Sequence, residues 1–200
     1  MLSLKDRFDL LEADLLADPP RFIMSRDLPF ALFRYDPSSA DENEWTVRKY
    51  KDLLATRVAN RLRRRIEQVS LADLFWQSIK DSEGIEAIIE MEKDHGFEAA
   101  EKQVNRYLSD HDFRSLCDLL LDRVRSLPAD SAFLFLTHAT AFAPGAYRIS
   151  SLLEQLGGRL RVPTVLFYPG TWSGTLNYMG LRSEDQSLGS YRVKIYGRES

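Results

Sequence analysis

The groups in this sequence whose types and spacing suit chemistry are three histidines, one cysteine and one arginine run. His138 follows the apolar run Ser131–Leu136 and Thr137, where a strand would end, with Thr140 close behind. A strand-end histidine working with a carboxylate such as Asp36 would give a hydrolase its general base; a hydrogen-bonded edge histidine is the ordinary alternative. His95 and His111 fall in helical surface contexts, and three histidines so dispersed lack metal-ligand spacing. Cys117 lies within Leu116-Cys117-Asp118-Leu119-Leu120, a pattern that makes it a small core residue rather than a nucleophile. As the single cysteine it allows no intrachain disulfide and no cysteine-based zinc site.

Phosphate chemistry has two candidate places. A P-loop needs glycines, a lysine and Ser/Thr in the order G-x-x-x-x-G-K-[ST], and the chain has no such run. Gly170-Thr171-Trp172-Ser173-Gly174-Thr175 offers two glycines and hydroxyls without a lysine, which suits a turn-rich loop better than an anion nest. Arg61-Leu62-Arg63-Arg64-Arg65, extended back by Arg57, is the other place. Arginines so placed grip phosphates or an acidic partner, or else they form a solvated helix end whose cations complement the helix dipole. Aromatic residues are not interleaved with them, which weakens the case for single-stranded nucleic acid. Trp172, Tyr178 and Met179 stand in a polar loop, where they either fold back onto the core or anchor a partner.

The elements that must position these groups follow from periodicity. Ser3 and Asp6 form a capping box, and Leu4, Phe8, Leu11 and Leu15 recur at helical spacing up to Asp18-Pro19-Pro20. That stripe must be buried against the chain's own core or against a partner. Pro29–Tyr35 predicts a first strand, and a helix runs from about Glu42 to Arg63. Ile66–Val69 makes a short second strand, followed by a helix capped by Ser70. Residues 84–127 are helical throughout. Phe133–Thr137 and Thr164–Tyr168 are strands flanking a helix from about Tyr147 to Leu156, and Tyr191–Tyr196 alternates as a last strand. The segment Val162–Tyr168 is expected to stop at Pro169-Gly170. The order β-α-β, helical insertion, β-α-β, loop, β predicts an α/β fold, a doubly wound and mainly parallel sheet whose working edge lies at the strand C-termini.

Composition sets the bounds. Two hundred residues at 44% hydrophobic content bury a real core in a single α/β domain, residues 1–200, with the helix-rich insertion at about 84–127. A net charge of −3 excludes a polyanion binder working by bulk electrostatics. No secretory h-region and no long apolar stretch is found, so a cytoplasmic protein without membrane contact is expected.

The chain resembles the BrxB family, accessory proteins of the BREX phage-defence systems of bacteria and archaea. The resemblance spans nearly the whole length. It rests on Leu4-Lys5-Asp6-Arg7-Phe8, on Arg34-Tyr35-Asp36-Pro37, and on Phe133–Thr137 leading to Pro144 and Tyr147-Arg148. Its most specific part is Val162–Gly170 with Leu176 and Gly180-Leu181. The resemblance implies a fold similar to that of P-loop ATPases but lacking the Walker A motif. It also implies an adaptor without catalysis or cofactor, acting beside a large ATPase and the alkaline-phosphatase-like protein PglZ, with PglZ as the expected contact. No site residues come with it. Partner contacts are therefore expected from the sheet edge (His138, Trp172, Tyr178, Met179) or the first helix (Leu4, Phe8, Leu11), with Arg57, Arg61, Arg63, Arg64 and Arg65 as the alternative for phosphate or nucleic acid.

Overall fold

The computed structural model describes residues 2–23, 29–143, 146–173, 175–180 and 193–197. Among them are seven α-helices and six strands. Helix α1 (Leu4–Leu15) starts at the expected capping box, where Ser3 Oγ accepts the Asp6 N–H at 3.2 Å. Helix α2 (Glu44–Leu62) is capped by Asn43, which accepts the Thr46 N–H at 3.0 Å, and ends as Arg63 turns left-handed (φ 52°). Ser70 and Ser115 cap α3 (Leu71–Asp81) and α6 (Leu116–Val124) in the same way. Between them α4 (Gly84–His95) and α5 (Phe97–Ser109) meet at Gly96, whose φ of 85° suits glycine. Helix α7 (Ile149–Leu156) completes the set.

Five strands run parallel in the order β2 (Arg65–Ser70), β3 (Ala132–Thr137), β4 (Thr164–Trp172), β1 (Phe30–Tyr35), β6 (Lys194–Tyr196). Alternate side chains feed two cores. Phe30, Leu32, Leu134, Leu136, Leu166 and Tyr168 join the face covered by α3 to α7. Ala31, Phe33, Phe133, Phe135, Val165 and Phe167 face α1 and α2. A strand buried on both faces is apolar at nearly every position, which is why Phe30–Tyr35, Ala132–Thr137 and Thr164–Gly170 read as mainly apolar runs, with Arg34 their one charged member.

The structure corrects one boundary. Strand β4 does not stop at Pro169-Gly170 but continues to Trp172 and exchanges its parallel neighbour β1 for the antiparallel β5 (Leu176–Tyr178). Gly170 permits the exchange, since a Cβ there would sit 2.3 Å from the Asn177 carbonyl oxygen. A 3₁₀ turn over Ala139–Phe142 also follows β3 where sequence alone suggested loop. Arg182–Ser190, Tyr191-Arg192, Leu181 and Pro144-Gly145 lie outside the described residues.

Candidate interaction surface

The C-terminal edge of the sheet brings together His138, Trp172, Tyr178 and Met179, but largely inward. The Tyr178 hydroxyl donates to the Ala139 carbonyl at 2.7 Å, joining the β4–β5 hairpin to the turn after β3, and its ring packs on Tyr168. Tyr178 is buried, and Trp172 and Met179 are half-buried against the same core. His138 adopts a left-handed backbone (φ 56°), and its Nδ1 lies 3.1 Å from the Thr137 hydroxyl. Asp36 accepts from the Ser38 N–H and hydroxyl at the end of β1, with β4 between it and the strand of His138. The two do not form a catalytic pair.

The helix that follows β1 is the place where such a fold would cradle phosphate. Here the approach to α2 carries carboxylates. Glu42 binds the buried Arg7 guanidinium and accepts the Asp36 N–H at 3.0 Å, while Glu44 accepts from the Tyr35 hydroxyl. Burial, aided by Glu44, pushes the Tyr35 phenol up well beyond its ordinary range, so it stays a neutral donor. Arg34 ties three strand ends together, donating from Nε to Gly197 O at 2.9 Å and from Nη1 to Gly170 O at 3.4 Å.

The arginine run is answered from within the chain. Arg57 and Arg61 both reach Glu12 of α1, at 2.7 and 3.5 Å. Arg64 lies 3.4 Å from Asp18 and over the Phe133 ring, and Arg65 lies 2.8 Å from Glu67. Only Arg63 of the run has no acidic partner among the described residues. The first-helix stripe is likewise committed: Leu4, Phe8 and Leu11 are buried, with Phe8 4.2 Å from Phe33 and 5.4 Å from Tyr50. Of the two covers the sequence allowed, the chain's own core or a partner, α2 and the sheet lie over these side chains. A groove of about 790 Å³ at the other end of the sheet is lined by four arginines, of which Arg114 and Arg125 pair with Asp122 and Arg159 with Asp118.

Sequence reasoning predicted the helices of the α4–α5 hairpin but did not single them out as a surface. Ile85, Ile89 and Phe97 remain 40%, 43% and 61% exposed. Ile85 and Ile89 stand one turn apart on α4, and Phe97 opens α5. From Glu83 to Glu101 seven carboxylates accompany one lysine, Lys93. That imbalance was visible in the sequence and would have drawn attention to the hairpin.

A family model described as BREX protein BrxB matches residues 67–194, more than half of the chain. Among curated proteins, no relative matches it. No helix among the described residues is long and apolar enough to cross a membrane. The match runs from β2 through every helix of the insertion into β6, and on its strength the chain belongs to the BrxB family of BREX defence proteins.

Proposed function

We propose that this protein is a non-enzymatic adaptor of a BREX defence complex, a single cytoplasmic domain that binds the PglZ-type component and helps assemble it with the large ATPase. The observation that carries this reading is the use of the α2 approach. Glu42 and Glu44 occupy the position from which a helix N-terminus would attract phosphate, and both are bonded to the chain's own Arg7 and Tyr35. Carboxylates there repel a nucleotide, so a sheet of five parallel strands with helices on both faces supports a P-loop-ATPase-like frame serving as scaffold.

The rival reading, nucleic-acid or nucleotide binding through Arg57–Arg65, has four of its five arginines, all but Arg63, paired with Glu12, Asp18 and Glu67. Co-purification from cells expressing the whole gene cluster separates the two. The adaptor reading predicts near-stoichiometric PglZ that survives a high-salt wash. Recovery of nucleic acid that leaves in salt, with no protein partner, would reverse the assignment.

A further inference from the structure

Resting on the adaptor reading, we infer that the α4–α5 hairpin is the docking surface, and that its occupant is a protein surface with basic side chains around an apolar centre. The apolar part follows from how the two helices bury their faces. On α4, Ile88 is buried and Met91 half-buried, while Ile85 and Ile89 beside them reach solvent. On α5, Ala100, Tyr107 and Leu108 enter the core, while Phe97, on the same stripe three residues before Ala100, lies beyond it. Several large side chains exposed on one helical pair and accompanied by charge mark a contact surface more than a single exposed one does.

The rim decides the partner. Glu86, Glu90, Glu92, Asp94 and Glu98 are exposed, and neither they nor Glu101 form an ion pair among the described residues. A second copy is a poor occupant. A two-fold interface would set these carboxylates against themselves, and the chain's densest basic run has all but Arg63 paired at home. A foreign basic surface answers the field without that conflict and gains encounter rate from it. The hairpin also lies inside the family-matched segment, and the arginine run lies before it.

The test compares the full chain with two triple variants, expressed with the rest of its gene cluster. Ile85→Ser/Ile89→Ser/Phe97→Ser removes the apolar centre, and Glu86→Lys/Glu90→Lys/Glu92→Lys reverses the rim. Each should lower the amount of the component that the unaltered protein retains by roughly tenfold or more. Because the replaced groups are exposed, the thermal midpoint should stay near that of the unaltered protein. A milder Glu86→Gln/Glu90→Gln/Glu92→Gln variant should retain the component but lose part of the salt dependence. Retention by both triple variants at the unaltered level overturns the hairpin assignment and leaves the adaptor reading standing. A complex-free dimer of the unaltered chain, dissolved by the same variants, overturns it in favour of self-association. If the unaltered chain retains no component at all, the adaptor reading fails and this one with it.

Discussion

Arg57 and Arg61 on α2 share the carboxylate of Glu12, whereas Glu86, Glu90 and Glu92 on α4 meet no cation among the described residues. The apolar residues of the two regions divide less sharply, since Leu10 of α1 and Trp45 and Leu53 of α2 are also exposed. Phe8 and Leu11 of α1 are fully buried between the sheet and α2, while Ile85, Ile89 and Phe97 of the hairpin stay in water. The first region pairs most of its arginines within the domain, whereas the second leaves its carboxylates unpaired among the described residues. Charge density along a sequence therefore does not identify a binding surface until its internal partners are known.

The largest expected effect comes from removing the first region. Residues 67–194 carry the family match but lack β1, the strand between β4 and β6. The fragment keeps only Lys194 of β6, and without α1 and α2 one sheet face is bare. This fragment should show no cooperative unfolding transition by circular dichroism; a cooperative transition would break the contrast at its root. Next in size, Phe8→Ala should cost about 3–5 kcal/mol in denaturant unfolding, since it empties a site against Phe33, Tyr50 and Phe167. Ile89→Ser should stay within about 0.5–1 kcal/mol, and equal losses at both positions would erase the distinction.

Cys117 offers a smaller test on the core beneath the hairpin side. Burial pushes its thiol from 9.0 up to about 11. A folded value above the unfolded one means that this contribution to stability is complete below pH 9 and fades as pH rises toward 11. Unfolding free energy compared with that of Cys117→Ala across this window should show the two curves converging; parallel curves would contradict the burial account.

The smallest effect concerns the arginines. Glu12→Gln frees Arg57 and Arg61 at a stability cost under about 1 kcal/mol, as these pairs are partly exposed. It should nevertheless raise retention on a heparin column, and retention unchanged from the unaltered protein would mean that Glu12 does not mask the run.

Much of the fold was readable because it depends on local rules. Capping serines at Ser3 and Ser70 marked helix starts, and doubly buried strands announced themselves as apolar runs. The passage of β4 through Pro169-Gly170 was not readable, because it depends on the distant Asn177 carbonyl accepting a side-chain-free neighbour. Interaction residues were harder still. Whether Tyr178 anchors a partner or donates to Ala139, and whether Arg57 is free or bound to Glu12, are long-range outcomes that no local spacing encodes.

The contrast between the two regions is tested most directly by hydrogen–deuterium exchange on the protein alone and in complex with the PglZ-type component. Slower exchange on binding across residues 84–102, with residues 57–65 unchanged, is the predicted result. Protection confined to residues 57–65, with the hairpin exchanging as in the free protein, would contradict it.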